Sequence, residues 1–153
     1  MHRSLAPLLL VALVSGCRGG ASGPSTARKM GPTLTRLTSQ TTDPALPKEQ
    51  REAYWERMKG RILTATGKVV SVSDSILLEC PLELEVGQPA PPVETACVRA
   101  FPEERYVSAL PMFKKDQPLR VQGVLTVREE RPEGDGSGCR VLFEVREARI
   151  LIR

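Results

Sequence analysis

The chain has 153 residues, 41% hydrophobic and 26% charged, a balance that suits one globular domain and excludes wholesale disorder. Its formal charge of +4 is unevenly spread: residues 1–60 hold nine Lys/Arg against four Asp/Glu, and residues 61–153 hold thirteen against fourteen. The near-neutral C-terminal part lacks the cationic footprint of a nucleic-acid binder, and with 4% aromatic residues its core must come mainly from Val, Leu and Ile.

The N-terminus reads MHRS, then ten mostly apolar residues from Leu5 to Val14, then Ser15, Gly16 and Cys17. Charged start, apolar run and small residues follow the order of a secretory signal. The run is too short for a membrane-spanning helix, which takes about 20 apolar residues. The stretch LVSGC resembles the lipobox of bacterial lipoproteins, with Leu13 or Val14, then small Ser15 and Gly16, then Cys17. That resemblance implies a signal peptide over 1–16, cleavage behind Gly16 and acylation of Cys17. The acyl chains would then hold the protein on a membrane, because two lipid signals already suffice for stable anchoring. Arg18 stands where an Asp would mark inner-membrane retention, so the same resemblance implies the outer membrane, facing the periplasm.

Residues 17–45 are dominated by Gly, Ser, Thr and Pro without a hydrophobic period, and read as a flexible tether behind the lipidated cysteine. Its basic residues Arg18, Arg28, Lys29 and Arg36 serve the solubility of such a linker, with contact to anionic headgroups as the alternative reading. The folded domain is expected over 46–153. It opens with a helix in LPKEQREAYWERMKG. Pro47 suits the first turn, Glu49 and Glu52 lie early, Arg57 and Lys59 lie late, and Gly60 ends it. Tyr54, Trp55 and Met58 share the face that packs on the domain.

Strands follow. In RILTATGKVVSVSD, Leu63, Ala65, Gly67 and Val69 alternate inward before Val70 and Val72 switch phase, which points to a bulge; Gly67 suits a sharply coiled strand. SILLEC is a second strand and ACVRAF a third, separated by the Pro-rich excursion PLELEVGQPAPPVET. PEERYVSALPMF places Tyr106, Val107, Leu110 and Phe113 on one helical face until Pro111 disturbs it. Leu119, Val121, Gly123, Leu125 and Val127 alternate in the clearest strand. RPEGDGSG is a hairpin loop, and in the last strand Val141, Phe143 and Val145 give way to Ala148, Ile150 and Ile152, a second bulge.

Helix, three strands, short helix and two strands is the order of an OB fold. The expected class is therefore mainly β: a five-stranded OB-fold-like barrel with an N-terminal helix and a short helix between strands three and four. GRILTATGKVVSV, CVRAF and FKKDQPLRVQGVLTV are similar to the small bacterial OB-fold lipoproteins grouped with the tRNA_anti-like domains, over residues 47–153. The chain departs from that pattern at Asp116, Gln117 and Pro118, where Gly-Asp is usual, and at Ala148, near which a cysteine is common. The resemblance implies the fold and does not establish tRNA binding.

With Cys17 set aside, Cys80, Cys97 and Cys139 remain, an odd number for an oxidising compartment. Cys80 closes the second strand and Cys97 opens the third, so a hairpin makes Cys80–Cys97 the expected disulfide. Cys97–Cys139 competes with it, and three small buried thiols are the bland alternative. His2 is the only histidine and lies in the leader, and no C-x-x-C spacing occurs, so neither metal nor other cofactor is expected. No nucleophile elbow, phosphate loop or dinucleotide glycine fingerprint is present. Glu129, Glu130, Glu133 and Asp135 around EGDGSG read as a solvated hairpin tip rather than a calcium or phosphate site.

The expected function is a non-enzymatic module of the cell envelope, held on the membrane through Cys17, that binds a protein, peptide or glycan. OB folds bind ligands on the face of strands two and three with the adjoining loops. Here that face offers Glu79, Arg99, the 81–95 loop and the 129–138 hairpin. Two alternatives stand beside this reading. One is a single-stranded nucleic-acid or oligonucleotide module, which needs a basic groove with stacking aromatics; Phe101, Tyr106, Phe113 and Phe143 all have core explanations. The other is a purely structural envelope protein with no discrete ligand.

Overall fold

The computed structural model describes residues 28–131 and 138–151. The lipobox with Cys17, the leader that precedes it, Glu133 and Asp135 lie outside the described residues. The elements are α1 (Leu34–Thr42), α2 (Lys48–Met58), β1 (Ile62–Val72), β2 (Ile76–Pro81), β3 (Thr95–Pro102), α3 (Glu104–Val107), a 3-10 turn (Leu110–Met112), β4 (Pro118–Glu130) and β5 (Val141–Leu151). The strands close into a ring in the order β1-β2-β3-β5-β4, with β4 returning to β1. All pairs are antiparallel except β3 with β5. This mainly-β arrangement is the OB fold that the order of elements predicts.

The ring interior follows from a two-residue period. Leu63, Ala65 and Val69 of β1, Ile76, Leu78 and Cys80 of β2, and Ala96, Val98 and Ala100 of β3 all point inward and are buried. Both predicted phase switches are bulges. On β1, Val69 and Ser71 face the consecutive residues Leu78 and Leu77, so Val70 is the extra residue and Val72 takes the inward place. On β5, Arg146 and Arg149 face Val124 and Gln122, and Glu147 sits in the left-handed region at φ 51°. An inserted residue restores the inward phase after a bend, and that bend closes the ring.

Gly67 permits the closure. β1 pairs with β4 along Ile62–Lys68 and with β2 from Lys68 onward, so it must coil sharply where the partners change. A Cβ on Gly67 would lie 2.4 Å from the Glu79 carbonyl oxygen and 2.7 Å from Cys80 Sγ. No larger residue fits that approach without moving backbone.

α2 delivers Tyr54 and Trp55 to the core, where the Trp55 ring lies 6.2 Å from that of Phe143. Arg128 of β4 lies over Trp55 at 6.0 Å and donates from Nη1 to the Thr41 carbonyl at 2.6 Å. The contact joins both helices to the sheet.

Three expectations need correction. The segment read as tether contains α1, which packs on α2 and β1. Thr33 caps it by accepting from Arg36 N at 3.2 Å, and the fully buried Thr38 and Thr41 donate to the carbonyls of Leu34 and Leu37. Those bonds let threonine serve as core; in sequence the segment carries only Leu34 and Leu37 against a run of weak helix formers. Second, the helix expected around Tyr106 stops after one turn. Leu110 is buried, whereas Val107 is 49% exposed. Third, Cys80 and Cys97 do not pair. The register sets Glu79 opposite Cys97 and Cys80 opposite Ala96, so the two cysteines point to opposite faces of the sheet. Cys80 lies inside the ring as a free thiol, and Cys97 lies outside, bonded to Cys139 with Cα atoms 5.6 Å apart.

Two outcomes follow from this geometry. Gly67→Ala should lower unfolding free energy by about 1–3 kcal/mol, the usual range for overpacking, read from the urea midpoint. An unchanged midpoint would show that β1 does not need the close approach. The double variant Cys97→Ala/Cys139→Ala should lose up to about 4 kcal/mol, because the bridge closes a loop with sequence separation 42. Cys80→Ala should leave the mobility difference between reduced and oxidised protein intact.

Candidate functional site

The face proposed from sequence does not form one continuous site. Glu79 points outward opposite Cys97, while Arg99 points outward opposite Leu77. Arg99 reaches across to β5 and pairs with Glu144 at 3.5 Å. Between them, the outer surface is filled by a second small apolar cluster of Cys97, Cys139 and Leu142 with Leu77 against it. Arg99 is thereby tied to the sheet, and Glu79 is left at the rim of a different feature.

That feature surrounds Thr66, an exposed residue of β1 at which four surface grooves meet. β2 runs alongside β1 only as far as Lys68 and Glu79. The next residue that could pair on that edge is Pro81, which has no N–H to donate to Thr66. β2 therefore diverges, and the edge of β1 at Thr64 and Thr66 opens onto solvent-filled grooves. The largest described here, about 750 Å³, is lined by Thr66, Lys68, Val70, Glu79, Lys115 and Asp116 among others.

The far wall is the turn entering β4. Asp116 N donates to the Val69 carbonyl at 2.8 Å, and Val69 N donates to the Gln117 carbonyl at 3.0 Å. Lys114 N adds a bond to Gln117 Oε1 at 3.0 Å. Asp116 holds φ 66°, a left-handed conformation that glycine adopts most easily. This is the stretch where the resemblance noted above has Gly-Asp, so the turn keeps the backbone that glycine serves while adding a carboxylate. The groove thus collects Lys68 and Lys115 with Glu79 and Asp116. None of the four forms an ion pair among the described residues.

The loop 82–94 forms a finger beside this groove. Leu82 and Val93 pack on the core at its base, joined by Leu82 N donating to the Glu94 carbonyl at 2.9 Å. Thr33 Oγ1 donates to Glu85 Oε1, which ties the finger to the start of α1. Leu84 and Val86 stand exposed beyond it. Of the 129–138 hairpin, Glu129 and Arg131 pair at 3.4 Å; most of the rest lies outside the described residues.

Of the aromatic rings, only Phe113 lines one of the grooves at Thr66 among those described. Phe143 is fully buried, Tyr106 and Phe113 pack against the core, and Phe101 lies under Arg146, whose guanidinium is 3.7 Å from the ring centre. Among titrating groups, burial pushes the Cys80 thiol up to about 12, with the Glu79 charge adding to the effect. Glu103 is held below its ordinary range by the hydrogen bond from Arg149 at 3.0 Å, with Arg105 acting in the same direction. No group of His, Cys, Asp and Glu able to hold a metal occurs among the described residues.

Sequence reasoning named Glu79 but missed Thr66, Lys68, Lys115 and Asp116. Alternating polar residues on a strand carry no mark of which one borders a groove. The departure at Asp116–Pro118 was the one available signal.

No family model matches the chain, and no curated protein matches it. Solved structures do resemble it. One is the small single-stranded DNA-binding protein from Streptomyces coelicolor, at 18% identity and TM-score 0.35 over 62% of this chain and 91% of that one. Another is an OBody bound to hen egg-white lysozyme, at 11% identity and TM-score 0.34 over 63% of this chain and 81% of that one.

The buried thiol gives a direct check on the interior. Cys80 should resist iodoacetamide at pH 8 in the folded protein and react fully in guanidinium, as counted by mass spectrometry. Rapid labelling of the folded protein would mean that the ring opens at β2.

Proposed function

We propose that this protein is a lipid-anchored, non-enzymatic OB-fold module of the bacterial envelope that binds an extended polypeptide in the groove around Thr66. The carrying observation is the charge content of that groove: two cations and two carboxylates, none engaged in an ion pair among the described residues, beside an open strand edge. A polypeptide supplies charges of both signs and a backbone that can complement such an edge. A glycan is ordinarily gripped by stacking rings, and the groove wall has none of the chain's tryptophan or tyrosine.

The lipid anchor rests on the order of residues 1–17, with Cys17 as the acylated residue and the periplasmic side of the outer membrane as the destination. The non-enzymatic reading rests on a chain whose only histidine is His2 and on Cys80, whose thiol stays protonated inside the core. A single-strand nucleic-acid role is less well supported. The outer residues Leu77, Glu79, Cys97 and Arg99 of β2 and β3 offer no ring for a base to stack on, and the ring further along β3, Phe101, is covered by Arg146.

A photo-crosslinking residue placed at Thr66 in living cells should form adducts with an envelope protein. Lys68→Glu/Lys115→Glu should reduce the adducts at least about tenfold, since reversing two charges next to a bound ligand costs on the order of 2 kcal/mol. Adducts indifferent to that change, or none at all, would sink the groove reading. In parallel, Cys17→Ala should abolish fatty-acid labelling and move the protein out of the membrane fraction.

A further inference from the structure

Arg28, Arg99, Arg105, Arg128, Arg131 and Arg149 each have a carboxylate within salt-bridge distance. Among the cations that do not are Arg36 on α1, Arg57 on α2, and Lys59 and Arg61 in the turn from α2 into β1. No ion pair engages them among the described residues. Three of them lie near one side chain, Tyr54, and Lys59 stands between Arg57 and Arg61 along the chain. The Arg57 guanidinium lies 5.7 Å from the Tyr54 ring centre. Arg36, Arg57 and Arg61 each act electrostatically on the Tyr54 phenol, although burial dominates and raises its pKa, so the phenol stays neutral and cancels none of their charge. Glu85 also acts there and keeps its negative charge while accepting from Thr33, so the group carries an excess of cations over one carboxylate. Arg36, Arg57 and Lys59 are exposed and Arg61 half-buried.

The position of this cluster matters because of where the chain enters the domain. Lys29 and Gly31 bond to Ile62, the residue after Arg61: Ile62 N donates to the Lys29 carbonyl and Gly31 N to the Ile62 carbonyl. The N-terminal strand therefore arrives beside the cationic turn. Ten residues lie between Cys17 and Arg28, or eleven Cα-to-Cα steps, a reach of at most about 40 Å at 3.3–3.6 Å per step. An anchor at Cys17 keeps this face within a short search of the bilayer, which acts as a high effective concentration.

We infer that the face formed by Arg36, Arg57, Lys59 and Arg61 docks on anionic phospholipid headgroups, so that the domain lies against its membrane instead of hanging from it. The inference rests on the lipid-anchor reading for the nearness of a membrane, while the affinity of the face for headgroups can be measured without the anchor. Each cation near an anionic surface contributes about fivefold to partitioning.

The test uses the chain from residue 17 carrying Cys17→Ala, which has no acyl group and keeps the described core, since among the described residues every buried hydrophobic one lies between Leu34 and Ile150. Flotation with vesicles of phosphatidylcholine alone is compared with vesicles containing phosphatidylglycerol. Binding should need the anionic lipid and fall away at high salt. Arg36→Gln/Arg57→Gln should lower the partition coefficient about 25-fold, at fivefold per cation. Lys114→Gln/Arg140→Gln, an equal charge change outside the cluster, should leave it within about twofold of the parent. Thermal melts confirm that the variants fold. Equal binding to both vesicles overturns the inference, as does equal loss in the two double variants. Retention of Cys17→Ala in cellular membranes, by contrast, removes the anchor reading and leaves the vesicle result standing.

Discussion

A single close approach, Gly67 against the Glu79 carbonyl and the Cys80 sulfur, sets the conditions for the rest of the molecule. Five short strands can close on themselves only if one of them bends enough to hydrogen-bond on both sides of the ring. β1 does this by handing over from β4 to β2 near Lys68. The bend needs an inward position without a side chain and, three residues on, an extra residue that restores the inward phase. Gly67 and the Val70 bulge meet those two needs. The mirror problem on β4–β5 is met by Gly123, whose Cβ would lie 2.9 Å from the Arg146 carbonyl, and by the bulge at Glu147.

Closure also divides the cysteines. Once β2 and β3 are in register, odd and even positions lie on different sides of the sheet, and no side-chain rotation can bring Cys80 to Cys97. The interior thiol becomes a small apolar core residue whose burial disfavours the thiolate. The exterior cysteine bonds to Cys139 and, with Leu142 and Leu77, seals the outer surface of the region where OB folds commonly take ligands. The open surface is displaced toward β1, where Pro81 ends the β2 ladder early. Ligand site and disulfide are thus two results of the same strand alternation.

Much of this architecture was legible in the residues. Strand alternation, both phase switches and the helix carrying Trp55 are all written in local patterns of apolar residues, and local patterns survive folding when one face of each element is buried. What escaped depends on partners distant in sequence. α1 is invisible because threonines become core only when their hydroxyls bond one turn back and a second helix covers them. The disulfide needed the pairing register, which spacing does not carry. The groove needed the divergence of β2 from β1 and the turn pinned on Val69 by Asp116 and Gln117, two features that meet only in three dimensions. Glu79 was named because the fold class points to its strand. The contact of Arg99, named with it, to Glu144 lies 45 residues on and is not written in local sequence.

The uneven distribution of charge acquires a structural meaning from these placements. The basic excess of residues 1–60 first reads as a property of a linker, yet Arg36, Arg57 and Lys59 belong to helices packed on the ring and their caps. In residues 61–153 the near balance of signs reflects internal pairing: Arg99 with Glu144, Arg149 and Arg105 with Glu103, Arg131 with Glu129. Exposed pairs of this kind add little stability individually, but they neutralise part of the sheet surface, and two of the places where charge is left unpaired differ in kind. One is the mixed-sign groove at Thr66, suited to a ligand carrying both charges. The other is the all-cationic turn after α2, suited to a surface carrying one. Under the proposed anchoring at Cys17, that division would set the cationic turn toward the membrane, because the chain enters the domain beside it.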